Sequence, residues 1–219
     1  MNARHFWFTR PSASRTDGMS GLSLALTVGA YYPALVGACA LGERILNHLV
    51  LDLREDFRGT PEYKQVYNKS SFDDWQLVID TLATWGVLLP DVVKEFGRLE
   101  KLRHRSIHFN VDTYSKLRED ALAAIAHMQL IIERQFGAFG DQPWFIAGIG
   151  GAAFIKREYE LQPFIRRYFL PQCPFVGVLS GFDPHFRLVD LPDYGDGELT
   201  DQEFCDAYNS RDPASVAGQ

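Results

Sequence analysis

Apolar side chains recur every three or four positions over more than a hundred residues of this chain, which is the spacing of one face of an α-helix. The clearest stripe lies within residues 112–137 and consists of Leu117, Ala121, Ala124, Met128 and Ile131. Asp112 precedes it and Gly137 follows it, residue types that are typical of a helix start and a helix end. The spacing therefore predicts a helix over residues 112–137.

The same spacing predicts three earlier helices, over residues 33–56, 71–86 and about 90–107. For the second of these, we expect Ser71 to be the N-cap, Asp74 to take the capping-box position and Gly86 to end the helix. Four helices joined by short links predict a mainly α fold, an up-and-down bundle of about four main helices.

Beyond residue 140 the pattern changes, because proline and glycine interrupt the chain every several residues with aromatic side chains between them. We expect a flexible N-terminal arm over residues 1–20 and the helical bundle over residues 21–140. We expect an irregular, partly β C-terminal extension over residues 141–194, which would pack on the bundle. An acidic polar tail follows over residues 195–219, with a short helix within residues 199–209.

Charge is unevenly distributed along the chain, although its formal net value is −6. Residues 183–219 hold nine acidic residues against two arginines, whereas residues 1–182 hold 20 basic residues against 19 acidic ones. Global acidity therefore does not exclude an RNA substrate. We expect the acidic residues 190–206 to dock near the basic residues of the third helix. The alternative is a solvated tail that aids solubility.

Cysteine content and hydropathy favour a cytoplasmic protein without a membrane span. The three cysteines are widely spaced, which argues against a disulfide framework or a cysteine-built zinc site. The first twenty residues are too polar for a signal peptide. Residues 18–42 carry no charge, but glycines and a proline dilute them and the helical pattern continues past Glu43, which favours a buried core helix.

Candidate chemistry is concentrated in residues 98–110, RLEKLRHRSIHFN. Val92, Phe96 and Leu99 mark the apolar face of the third helix, and Arg103 is the next residue in that series. A buried arginine must be paired or must face a hydrated cleft, because an unpaired buried charge is very costly. Glu43, on the apolar flank of the first helix, is the candidate partner of Arg103.

The stretch LRHRSIHF resembles the signature of the HEPN family, an arginine and a polar residue followed a few residues later by histidine. The segments ACALGERILNHLV and WQLVIDTLATWGVL are also similar to segments of HEPN proteins, so the resemblance covers about residues 22–137. It implies a metal-independent endoribonuclease that cleaves RNA by 2′-OH attack, serves bacterial defence or a toxin–antitoxin system, and uses no cofactor. It also implies a homodimer with a composite active site, and a cognate antitoxin or inhibitor as a candidate partner.

The resemblance assigns roles to individual residues. Arg103 would hold the scissile phosphate, His108 would act as the base or acid, and His104 would orient one of them or share the proton transfer. Glu43 would pair with Arg103. The surrounding cations Arg98, Lys101 and Arg105 would attract the RNA backbone.

Several alternatives remain open at this stage. Arg103 and Glu43 could form a structural salt bridge, and the chain could be a non-catalytic HEPN dimer that acts as an adaptor or nucleotide-binding partner. His104 and His108 have the i, i+4 spacing of a zinc pair, but no third ligand is evident. GIGG at residues 148–151 favours a turn over a phosphate loop. The aromatic and basic residues 154–169 fit a half-buried cover better than an RNA surface.

Overall fold

The computed structural model describes residues 6–7, 24–107, 115–138, 140–150, 153–182, 185, 187–189 and 199–212. The chain divides into two compact units, one of residues Ser12–Gly137 and one that joins Met1–Pro11 to Ala138–Gln219. The fold is mainly helical with little strand, as the sequence predicted.

The first unit, here called the helical unit, is built mainly from five α-helices. These are α1 (Tyr31–Leu53), the single turn α2 (Tyr63–Val66), α3 (Trp75–Thr84), α4 (Pro90–Ile107) and α5 (Leu117–Phe136). A 3₁₀ turn, Arg54–Phe57, extends α1. Helices α1, α4 and α5 pack against one another, and α3 packs on α1 and α4.

Side-chain contacts fix the directions of neighbouring helices in this unit. Gln135, near the end of α5, accepts from Leu89 N and donates to Val87 O, just before α4 begins. At the other end of α4, Arg105 bonds to Asp120 in the first turn of α5. Helices α4 and α5 are therefore antiparallel.

The predicted helix boundaries are confirmed for α4, whereas the predicted start of the second helix is wrong. Asp74, not Ser71, is the N-cap of α3, because its carboxylate accepts from Leu77 N at 3.0 Å. Gly86, with φ of +67°, ends that region as predicted, in a conformation that favours glycine. The predicted cap Asp112 lies outside the described residues.

Helix α1 is the core helix of its unit. Its buried side chains include Leu35, Leu46, Leu49 and Leu53, each at most 1% exposed. The helical stretch Tyr31–Phe57 is also long enough to cross a membrane and contains an 18-residue window with a mean hydropathy of 1.4. Burial of these leucines against the neighbouring helices favours the core interpretation.

The second unit, here called the C-terminal unit, is irregular with short strands. Strand β1 (Phe6–Trp7) pairs antiparallel with β2 (Phe175–Val176), and β3 (Gly181–Phe182) pairs antiparallel with β4 (Leu188–Val189). Its helices are α6 (Pro163–Tyr168) and α7 (Asp201–Ser210). Strand β1 lies within the segment predicted to be a flexible arm.

Two apolar clusters form the core of the C-terminal unit. One is an aromatic cluster of Trp144, Phe145, Phe164 and Phe169, with ring centroids 5.6–6.1 Å apart. The other packs the buried Phe154 against Phe204 of α7. The buried Phe154, Phe164 and Phe169 support the interpretation of residues 154–169 as a half-buried cover.

The predicted short helix near the C-terminus is confirmed as α7. Thr200 and Glu203 form a full capping box at its start, and Phe204 and Cys205 are buried. Residues 201–210 are thus part of the core of the C-terminal unit. Residues 190–198 lie outside the described residues, so docking of the acidic segment stays a prediction.

Candidate functional site

Arg103 lies in the last two turns of α4, next in the apolar series of that helix. Val92, Phe96 and Leu99 are fully buried, and the Arg103 side chain is 19% exposed. The arginine therefore occupies the place where the core of the helical unit meets solvent, as the sequence predicted.

Two residues from other helices hold the Arg103 guanidinium. Its Nη2 atom lies 3.1 Å from Glu43 Oε2 on α1, which is the contact predicted from the sequence. Its Cζ atom lies 5.4 Å from the centre of the Trp75 ring on α3, within cation–π range. The Trp75 indole Nε1 donates to the same Glu43 Oε2 at 3.2 Å.

The segment that leads into α3 is anchored to α1, which fixes the position of Trp75. Asn47 of α1 accepts from Phe72 N at 2.7 Å and donates to Phe72 O at 2.9 Å, so one side-chain amide satisfies both backbone groups. Asp74 then caps α3 and makes Trp75 its first residue. Helix α1 thus supplies Glu43 and also positions its indole partner.

Arg103 keeps donor capacity beyond this pair. Within the described part of the chain, Glu43 is the acceptor with which Arg103 pairs, through the single nitrogen Nη2. None of the other guanidinium nitrogens is a buried atom without a partner. A guanidinium carries five N–H donors and the Arg103 side chain is 19% exposed, so it retains donors that can bind an anion such as a phosphate oxygen.

Cys39 lies one turn before Glu43 on α1, close enough for the charges of Arg103 and Glu43 to act on its thiol. Burial raises the pKa of its thiol from 9.0 to about 11, while the nearby Arg103 charge lowers it and the Glu43 charge raises it. The side chain is only 5% exposed. Cys39 is therefore a neutral thiol at pH 7 and not a nucleophile.

We expect the stability of the helical unit to fall between about pH 9 and pH 11. The thiol loses its proton more readily in the unfolded chain than in the folded one, so raising the pH through this window favours unfolding. A two-unit pKa shift corresponds to about 2–3 kcal/mol at the upper end. Urea unfolding at several pH values checks this result.

A Cys39→Ala variant is the control for this prediction. Its unfolding free energy should depend less on pH than that of the wild type in the same window. Equal slopes for the two proteins would show that other groups cause the loss.

Of the two histidines predicted to be catalytic, the structure describes His104 but not His108. His104 is exposed on α4, directly after Arg103. His108 lies outside the described residues, so its distance to Arg103 stays untested. Among the described residues, no group of three or more His, Cys, Asp or Glu side chains could hold a metal ion.

The three predicted RNA-binding cations lie around Arg103 on α4. Arg98 pairs with Glu95 at 2.6 Å and is 58% exposed, and Lys101 is exposed. Arg105 pairs with Asp120 at 2.8 Å and is 53% exposed. Each arginine is more than half exposed although its carboxylate partner is 12% exposed or less, so both cations remain accessible to a polyanion.

The described part of the GIGG stretch, residues 148–150, lies in turns, as predicted, within the C-terminal unit. Gly148 has a φ of +90° and, with Ile149, lines a cavity of about 740 Å³ whose charged lining residues are Asp141 and Lys156. Helix α7 holds this turn, because Asn209 Nδ2 donates to Gly148 O at 3.0 Å.

Sequence reasoning missed Trp75 as part of the site. In the sequence, Trp75 is one more apolar residue near the start of a predicted helix. No rule of residue spacing links position 75 to positions 43 and 103. An indole needs a hydrogen-bond partner when buried, and this requirement is the signal that could have pointed to a nearby acceptor.

No protein-family model, no curated protein and no solved structure matches this chain. The case for a function therefore depends on the sequence motif and on the geometry around Arg103.

Proposed function

We propose that this protein is a metal-independent endoribonuclease of HEPN type, with its helical unit arranged as an up-and-down bundle. The observation that carries the proposal is Arg103, held by Glu43 and Trp75 near the end of α4 with its side chain 19% exposed. The sequence places His108 five residues later, in the Arg-x4-His spacing of the family.

In the proposed reaction, Arg103 binds a non-bridging oxygen of the scissile phosphate and stabilises the charge that develops there. His108 takes the proton of the ribose 2′-OH or gives a proton to the leaving 5′ oxygen, and His104 assists this transfer. The 2′ oxygen bonds to phosphorus as the 5′ oxygen departs. The products are a 2′,3′-cyclic phosphate and a 5′-OH.

Two protomers are proposed to form the active enzyme, as the resemblance to HEPN dimers with a composite active site implies. A homodimer with a shared cleft supplies a second His108. The exposed cations Arg98, Lys101 and Arg105 would guide RNA into that cleft. The proposed setting is cytoplasmic, in defence or in a toxin–antitoxin pair with a cognate inhibitor.

The second candidate is a non-catalytic HEPN dimer that acts as an adaptor or nucleotide-binding partner. The ion pair between Arg103 and Glu43 favours this alternative, because a purely structural arginine would be satisfied in the same way. In that case, the chain would bind a partner through the same fold without cleaving RNA.

RNA cleavage in EDTA separates the two candidates. The purified full-length chain is incubated with a mixed RNA substrate, alongside the Arg103→Ala and His108→Ala variants. The proposal predicts cleavage by the wild type and none by the variants. No cleavage by the wild type, or equal cleavage by all three, would reject the enzyme. Cleavage abolished by EDTA would instead favour a metal site at His104 and His108.

A further inference from the structure

One carboxylate oxygen of Glu43 contacts nitrogen atoms from two different helices. Arg103 Nη2 lies 3.1 Å from Glu43 Oε2, and Trp75 Nε1 lies 3.2 Å from the same atom. The Trp75 ring also lies beneath the guanidinium, 5.4 Å from Cζ. Trp75 thus contacts both members of the ion pair, one through its N–H and the other through its ring.

The three side chains differ greatly in how firmly the fold holds them. Trp75 is 2% exposed and packs edge-on against Phe96, with ring centroids 6.5 Å apart. The Glu43 side chain is 38% exposed and has several rotatable bonds. An exposed carboxylate of this kind gains freedom in solvent unless a fixed donor restrains it. The indole N–H is that donor.

We propose that Trp75 is a positioning residue that orients Arg103 for anion binding, both directly and through Glu43. The rigid indole N–H fixes the Glu43 carboxylate, and the carboxylate and the ring together hold the guanidinium in one orientation. The expected effect of Trp75 on catalysis rests on the proposed function, whereas its expected effect on the orientation of the Arg103 guanidinium does not.

Direct contact between Trp75 and RNA is excluded by its burial, so its effect on catalysis must pass through Arg103. Removing the indole N–H should therefore lower kcat and leave KM nearly unchanged. A purely structural role would lower stability without changing the dynamics of one arginine.

Trp85 offers a matched control in the same unit. It is 8% exposed, donates its Nε1 proton to Thr60 Oγ1 at 2.9 Å, and stacks on Phe57 with ring centroids 4.5 Å apart. Trp85 is thus a buried tryptophan with a side-chain acceptor, like Trp75. Its acceptor, Thr60, is not one of the residues that hold Arg103.

The experiment compares Trp75→Phe and Trp85→Phe with the wild type. A third protein carries 3-benzothienylalanine at position 75, which replaces the indole N–H by sulfur and keeps the shape of the ring. Arginine side chains are labelled with ¹⁵N, and the Arg103 signal is assigned from an Arg103→Lys variant. Hydrogen exchange of the Arg103 guanidinium with water is measured, together with kcat and KM for RNA cleavage.

The inference predicts several-fold faster Arg103 exchange in both position-75 proteins and about a tenfold lower kcat, with KM changed less than about twofold. Trp85→Phe should change neither Arg103 exchange nor kcat. Unchanged Arg103 exchange at position 75, or an equal change in Trp85→Phe, would overturn the inference. If the wild type cleaves no RNA, the proposed function fails, and Arg103 exchange alone decides whether Trp75 positions the arginine.

Discussion

Replacing Arg103 by alanine is expected to lower the rate of RNA cleavage about a thousandfold at saturating RNA, because one charged donor to the transition state is lost. The fold should survive, since the Glu43 carboxylate left behind is 38% exposed and can be hydrated. Single-turnover cleavage rates measure the loss, and far-UV circular dichroism verifies the helical content of the variant.

Arg98→Ala is the matched control for this prediction, as it removes the same charge from the same helix. Arg98 is 58% exposed and pairs with Glu95 of its own helix. Its loss should change cleavage at most a few-fold, and only at low salt, where screening is weak. Similar losses in the two variants would show that Arg103 acts only through its charge.

The second large effect concerns folding, at the point where four helices meet. A Cβ atom on Gly42 of α1 would lie 2.7 Å from Leu99 Cδ2, 2.9 Å from Trp75 Cη2 and 3.4 Å from Met128 Sδ. We expect Gly42→Val to lower the free energy of unfolding by about 3 kcal/mol, since a packed core accommodates added volume poorly. Thermal or urea unfolding followed by circular dichroism measures this change.

Gly97 of α4 is the control for this prediction, because a Cβ atom there would meet no heavy atom within 4 Å. Gly97→Ala should stabilise the helix by about 0.5–1 kcal/mol, since alanine loses less conformational entropy than glycine. An equal loss of stability in both variants, or no loss in Gly42→Val, would contradict the role of helix contact at position 42.

The spacing of apolar residues predicted the features that depend on a single helix. It placed α4 at Pro90–Ile107 and identified Arg103 as the polar member of an apolar series, because burial repeats at a fixed period along a helix. It also predicted the pairing of Arg103 with Glu43, since an arginine at a core position needs an acidic partner.

Apart from the pairing of Arg103 with Glu43, features that depend on contacts between distant segments were not predicted. The start of α3 was misplaced because two capping residues, Ser71 and Asp74, compete, and the anchoring of Phe72 by Asn47 is a tertiary contact. Trp75 was missed for the same reason. The pairing of β1 with β2 joins residues almost 170 positions apart, which no local pattern reveals.

The measurement that tests the central claim most directly is the chemistry of the cleaved ends. A short RNA is cleaved in EDTA by the full-length chain and the products are identified by mass spectrometry, with a second substrate that carries 2′-deoxyribose at the main cleavage site. The account predicts a 2′,3′-cyclic phosphate and a 5′-OH at that site, and no cleavage there in the second substrate. Cleavage at the deoxyribose, a 5′-phosphate product, or undiminished cleavage by Arg103→Ala would contradict it.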